Sequence, residues 1–161
     1  MLKQLALLLQ AEIREELIQQ GHKATGSLID SVKVHATDFQ IIGESIFYGE
    51  YVERGRKAKE KRVPIDALIQ WIEDKNFSVA NDAEKKSIAF AIQAKIYKEG
   101  IPTKNSMKYS KNGRRQKYLS TVLDNNKDKI RTYINNYVSD KIDIILTNYS
   151  KTVGVTEITV F

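Results

Sequence analysis

Two stretches of the sequence concentrate positive charge and offer the clearest chemistry in the chain. Segment 54–62, the basic loop, has six cations and one acid, and segment 101–118, the basic arm, has six cations and no acid. Such cations neutralise nucleic-acid phosphates without reading base sequence, or they pair with acids of a neighbouring subunit. The cations that we predict to make such contacts are Arg54, Arg56, Lys57, Lys59, Lys61, Arg62, Lys104, Lys108, Lys111, Arg114, Arg115 and Lys117.

The charge outside these two segments has the opposite sign. The loop and the arm together contribute +11, whereas the 161-residue chain has a formal net charge of +6, so the remainder carries −5. An acidic body with two basic connections indicates contact with a polyanion or with an acidic protein surface. The chain has no cysteine, which excludes a disulfide framework and a thiolate metal site and fits assembly in a reducing cytoplasm.

Residues that could support catalysis are scattered. His22 and His35 fall in a predicted turn and a predicted strand without further ligands nearby, whereas a zinc site takes three or four. Glu12, Glu15 and Glu16 crowd one amphipathic helix, where carboxylates usually form the solvated face. No serine lies in a G-x-S-x-G turn, and the basic loop lacks the Walker spacing. The sequence therefore predicts no enzyme activity, no metal and no cofactor.

Periodicity predicts the elements that carry the basic loop. Apolar residues at steps of three and four predict a helix over residues 2–19, ended by Gly21. Alternation from Leu28 predicts a first strand, and segment 39–48 predicts a second, with a bulge at Gly43. These strands would form a β-hairpin that the first helix covers on one face. The leucines near the start resemble a short signal core, but charged residues follow at once and no stretch approaches a membrane span.

After the basic loop, the sequence predicts helices on both sides of the basic arm. Pro64 and Asp66 begin a helix, and a second begins at Asn81 or Asp82 and ends before Gly100. In that second helix the predicted buried side chains are Ile88, Ala91, Ile92 and Ile96. The basic arm shows no periodicity, which predicts a functional or flexible segment.

The last helix is predicted to begin near Leu119 and to run for ~30 residues, or ~45 Å. Such a helix is long for a small domain, so either it breaks at Asn125 and Asn126 or it projects and packs on another copy. The final residues, VGVTEITVF, have strand propensity.

These elements predict an α+β fold: an N-terminal helix packed on a β-hairpin or small antiparallel sheet, two middle helices and a long C-terminal helix. Residues 1–100 would form the α+β core with the basic loop, residues 101–118 a flexible basic arm, and residues 119–161 the long helix with its strand-like tail.

Two sequence motifs, together with their order and spacing, resemble those of the tail-completion, or head–tail joining (neck), proteins of tailed bacteriophages. TGSLIDSV at Thr25–Val32 resembles the family's TG-x-L-x-x-S-I segment, and YGEYVERGRK at Tyr48–Lys57 resembles Y-A-x-Y-V-E-x-G. RVPIDALIQWIEDK and SIAFAIQAKIYKEGI resemble the two following helices, so the likeness covers about residues 1–101. The basic arm is longer and more basic than the family's proline–phenylalanine segment.

The motif residues also have direct structural interpretations. Thr25 and Gly26 would turn the chain, with Gly26 at positive φ, and Leu28 would face the core. Tyr48, Tyr51 and Val52 would anchor the chain before Gly55 releases it into the basic loop.

The resemblance implies a structural virion protein that forms a ring and joins portal to tail around the DNA channel. Its expected partners are other copies of itself, portal or adaptor and tail proteins, and double-stranded DNA during genome passage, with no membrane. Its expected location is the neck or tail of the virion, after assembly in the host cytoplasm. The alternative is a non-virion accessory protein that binds nucleic acid independently of sequence.

Overall fold

A computed structural model describes residues 1–23 and 26–153. The first half contains α1 (Leu2–Gln19), α2 (Ser27–Ser31), β1 (Lys33–Ala36), β2 (Ile41–Glu44) and α3 (Gly49–Arg54). The second half contains α4 (Ile65–Asp74), α5 (Asp82–Glu99), a 3-10 helix (Lys104–Tyr109), α6 (Tyr118–Asn125) and α7 (Lys127–Val153). The predicted α+β class is confirmed. Thr25 and the strand-like tail predicted after Val153 lie outside the described residues.

The N-terminal helix forms the centre of the main core. The predicted stripe of α1 is buried, and β1 and α6 cover it. This core, the body of the molecule, consists of Leu5, Ala6, Leu9, Ile13, Leu17, Leu28, Val32, Val34, Tyr118 and Val122. An N-terminal helix packed on a small antiparallel sheet, as predicted, is therefore present.

The hairpin is shorter than its sequence pattern indicates. β1 and β2 pair antiparallel from Lys33↔Glu44 to Ala36↔Ile41. The prediction that the first strand begins at Leu28 is wrong, because Ser27–Ser31 is helical. The apolar positions of that stretch are four residues apart, which also fits a helical turn and still buries Leu28.

The second predicted strand also ends early, since β2 stops at Glu44 and α3 begins at Gly49. The bulge predicted at Gly43 is wrong, because Gly43 pairs in register with Val34.

Helices α4 and α5 form a hairpin with a second, smaller core around Leu68, Ile72 and Ala89. The side chain of Asn81 accepts a hydrogen bond from the Glu84 amide at 2.9 Å and caps α5, as predicted for its N-terminus. The prediction that Ala91 is buried is wrong. The face of α5 toward α4 is centred on Ala89, with Ile88, Ile92 and Ile96 partly buried, and this rotation leaves Ala91 exposed.

Of the two alternatives for the last helix, the structure has the break, at Asn126 between α6 and α7. The first turns of α7 pack on the body through Ile130 and Tyr133, and the hydroxyl of Tyr137 donates to the Asp38 carbonyl at 2.7 Å. Beyond that contact α7 is mostly exposed. Within the described residues, no helix combines the length and apolar character needed to cross a membrane.

Candidate functional site

The basic loop connects α3 to α4, and backbone hydrogen bonds fix its path. Arg56 and Ile101 exchange two such bonds, at 2.9 and 2.8 Å, and the amide of Lys59 donates to the Tyr97 carbonyl at 2.7 Å. Gly55 has a φ of 70°, and a Cβ at that position would lie 2.6 Å from the Ile101 carbonyl oxygen. The loop is therefore held against the end of α5 and the start of the basic arm, and only glycine fits where it leaves α3.

Arginines and lysines of the basic loop have different surroundings. Each arginine has a partner within the chain: Arg54 with Glu50 at 2.9 Å, Arg56 with Glu60 at 3.8 Å, and Arg62 with the Tyr97 ring, whose centre is 5.0 Å away. Lys57, Lys59 and Lys61 are exposed and form no ion pair with a described residue. Internal contacts thus offset part of the predicted repulsion, and three lysines supply the outward charge.

The basic arm is attached to the C-terminal end of α1. The amide of Lys111 donates to the Gln19 carbonyl at 2.8 Å, and the buried side chain of Gln20 donates to the Gln116 carbonyl at 3.0 Å. The prediction that the arm has no regular structure is wrong at Lys104–Tyr109, which forms a 3-10 helix. Its polar residues have no periodicity of their own, because their partners lie on α1.

The cations of the basic arm divide in a similar way to those of the loop, except that Lys108 lies 5.0 Å from the centre of the Tyr109 ring. Arg114 lies 3.9 Å from the Glu16 carboxylate. Arg115 is partly buried and donates to the Ser106 carbonyl at 3.3 Å, and burial lowers the pKa of its guanidinium. The exposed lysines without an ion pair to any residue that the structure describes are Lys104, Lys108, Lys111 and Lys117.

The two basic segments meet only at the ends of the arm. Ile101 and Gln116 join the basic loop around a pocket of about 890 Å³, which Arg54, Arg56 and Lys61 also line. Lys108 and Arg115 line a different, larger groove of about 1580 Å³ between the C-terminal end of α1 and the α4–α5 hairpin. The structure therefore separates the predicted contact residues into two surfaces.

The larger groove is also lined by the motif residues Gly26, Leu28, Tyr48 and Val52, but sequence reasoning did not place Trp71, Phe77 and His22 there. Trp71 and Phe77 line one wall, with ring centres 5.5 Å apart. On the opposite side, His22 has no hydrogen-bond partner at Nε2 within the described residues. Burial, and next the charge of Arg115, lower the pKa of His22 to about 4. Trp71 was visible as an aromatic residue flanking the apolar stripe, but no sequence signal places His22 beside Arg115.

The motif residues lie together on the body. Gly26 has a φ of 79°, as predicted, and Leu28 is buried. Burial raises the pKa of the Tyr48 hydroxyl. Val52 is half-buried, whereas Tyr51 is mostly exposed and packs edge-on against Phe47 at 5.6 Å.

No model of a known protein family, no curated protein and no solved structure matches the chain. Among the described residues, no three histidine or carboxylate side chains come close enough to hold a metal ion.

Proposed function

We propose that this chain is a structural subunit of the neck of a tailed bacteriophage. Several copies would form a ring that joins portal to tail around the DNA channel. The observation that carries this proposal is the contact between the two motif segments, which lie about twenty residues apart in the sequence. Gly49 of the second motif packs against Leu28 of the first, and just before the second motif the Ile46 amide donates to the Ser31 hydroxyl at 3.1 Å.

This contact supports the resemblance because it makes the two motifs one structural unit. Gly49 packs so closely that a Cβ there would lie 3.1 Å from Leu28 Cδ1 and 3.0 Å from the Tyr118 hydroxyl. The nearest contact of that Cβ would be Ser45 Oγ at 2.7 Å. The second motif therefore has glycine where the family pattern has alanine, and this departure follows from how closely Gly49 packs.

The outward lysines support a role at the channel. Lys57, Lys59 and Lys61 project from one short loop, and flexible ammonium groups make phosphate contacts that depend on salt but not on base sequence. Such contacts allow DNA to pass, and the same charge also suits an acidic surface on an adjacent ring.

Reversal of these charges tests the proposal. In the phage that encodes the chain, Lys57→Glu, Lys59→Glu and Lys61→Glu together are expected to reduce the yield of infectious particles by orders of magnitude. The matched control reverses three exposed lysines elsewhere, Lys3, Lys33 and Lys86, and is expected to leave that yield within a fewfold of wild type. Circular dichroism of both purified variants checks the fold.

Two results would overturn the proposal. One is a normal yield of infectious particles from the loop variant. The other is absence of the chain from purified particles by mass spectrometry. A chain absent from particles that retards duplex DNA on a gel with a steep salt dependence would instead favour the accessory nucleic-acid-binding protein.

A further inference from the structure

The outer face of α7 has large apolar side chains that nothing in the described part of the chain covers. Ile134, Val138, Ile142, Ile145 and Tyr149 are between 43% and 65% exposed. At ~100° per residue these five positions fall within an arc of about 80° on the helix. They form one continuous apolar face, the α7 stripe.

The α7 stripe differs from the face by which α7 docks on its own body. Ile130, Tyr133 and Tyr137 make the contacts with the body and the hairpin turn. Their mean direction lies roughly 100° from the centre of the stripe on a helical projection. The helix therefore has two apolar faces, and within the described residues only the docking face has a partner.

The direction of α7 keeps the stripe away from the other described elements of its own chain. The side chain of Asn126 contacts Glu12 near the middle of α1, and Tyr137 reaches Asp38 in the hairpin turn. That turn lies toward the N-terminal end of α1, because β1 runs antiparallel to α1, with Val34 bound to Gln10. Residues 138–153 extend ~24 Å beyond Tyr137.

The spacing of the stripe indicates that its partner is another helix. Val138, Ile142, Ile145 and Tyr149 follow steps of four, three and four, which are the d and a positions of a heptad repeat. Asn135 falls on the preceding a position and is exposed. A single asparagine at an a position fixes the register of parallel helices by pairing with its copy.

We infer that the α7 stripe packs in parallel against the same helix of other copies of this chain. This inference rests on the proposed assembly into a homo-oligomer and names the surface that makes it. Parallel packing places Lys141 opposite Leu146 of the other copy, so no like charges meet across the contact. β-branched residues at the d positions Val138 and Ile145 favour more than two strands.

The size of the stripe fits contact between copies. Five side chains that are about half exposed present on the order of 500 Å² of apolar surface, which is the size of the largest patch on a typical monomer, and such patches are often functional. Two such faces together bury ~1,000 Å², which reaches the lower range of specific interfaces. Copies around one rotation axis also point the same way, as parallel packing requires.

Sedimentation velocity over a concentration series of the full chain tests the inference. Wild type is expected to form assemblies, and Ile142→Glu with Ile145→Glu is expected to sediment as a monomer. The matched control is Ile144→Glu, because Ile144 is 54% exposed on the same helix but lies outside the stripe. This control is expected to assemble like wild type, and circular dichroism should show the same helix content in all three proteins.

Cysteine cross-linking tests the parallel orientation, since the chain has no natural cysteine. Val138→Cys and Tyr149→Cys are each expected to form disulfide-linked dimers on mild oxidation, whereas Ile144→Cys should not. Cross-linking only in a mixture of the first two variants would show antiparallel helices and overturn the inference.

Two sedimentation results would also overturn the inference. One is a wild type that stays monomeric up to ~100 μM, a concentration at which even weak self-association is visible. The other is a stripe variant that assembles like wild type. Neither result decides the proposed function, which depends on the presence of the chain in particles and on the yield after charge reversal.

Discussion

Helices α1 and α7 have the same kind of apolar periodicity and different surroundings. On α1, Leu5 and Leu17 are fully buried. On α7, Ile142 and Ile145 are 49% and 65% exposed. The body covers α1 with β1 and α6, whereas α7 contacts the body only through its first turns. Periodicity thus identifies the apolar face of a helix but not whether its partner belongs to the same chain.

The largest expected effect follows directly from this difference. Leu17→Ala should lower the free energy of unfolding by about 2–5 kcal/mol, because it removes buried methyl groups and leaves a cavity. Ile142→Ala should lower it by less than ~1 kcal/mol at concentrations where the chain is monomeric, since half of that side chain is already in water. Urea denaturation measures both, and equal losses would contradict the comparison.

The C-terminal end of α1 provides a second, pH-dependent test of how enclosed that helix is. The pKa of His22 is about 4 in the folded chain, below its ordinary value of 6.5. Between these values the unfolded chain binds a proton at His22 that the folded chain does not, so stability falls as the pH is lowered from 6.5 toward 4. Partial exposure limits the loss to on the order of 1–2 kcal/mol.

The contribution of His22 can be isolated by substitution. His22→Gln should flatten the pH dependence of the urea midpoint between pH 6.5 and 4, relative to wild type. His35→Gln, at an exposed position on β1, should keep the wild-type dependence. A His22→Gln profile parallel to that of wild type would show that the end of α1 is open to solvent.

Long periodic elements were predictable, because many residues contribute to each signal. The extent of α1 and the starts of α4 and α5 follow from stripes, caps and proline positions. The break at Asn126 was one of two alternatives that the sequence left open. Short elements were not predictable from the sequence. Leu28 and Val32 fit both a strand and a single helical turn, and only the packing of that segment on α1 decides between them.

The charged segments were predictable as connections, but the role of each cation was not. Composition shows twelve cations in two segments, and it does not show that every arginine has a partner within the chain whereas the lysines form no ion pair with a described residue. That division depends on residues distant in sequence, such as Glu16 for Arg114. The guanidinium of arginine has several N–H donors in a fixed plane and forms well-defined contacts, whereas the ammonium of lysine is strongly hydrated. The different surroundings of the arginines and the lysines agree with this chemistry.

The smallest expected effect concerns Asn126, which connects helix α6 of the body to the mostly exposed helix α7. The side-chain amide of Asn126 donates to the Glu12 carboxylate and, at 3.0 Å, to the Val122 carbonyl. The backbone carbonyl of Asn126 accepts from the Ile130 amide at 2.8 Å. Asn126→Ala removes the two side-chain bonds and should cost about 1 kcal/mol. Faster hydrogen exchange should be confined to the first turns of α7, because those turns lose their fixed position on α1.

Asn136→Ala is the matched control, because Asn136 is an exposed asparagine on the same helix. It should change stability by no more than ~0.5 kcal/mol and leave exchange unaltered. If both variants exchanged alike, the docking of α7 would depend on its other contacts: the packing of Ile130 and Tyr133, the hydrogen bond from Tyr137 to Asp38 and the ion pair between Lys129 and Glu12. The exposed half of α7 would then take its direction from those contacts rather than from the side-chain hydrogen bonds of Asn126.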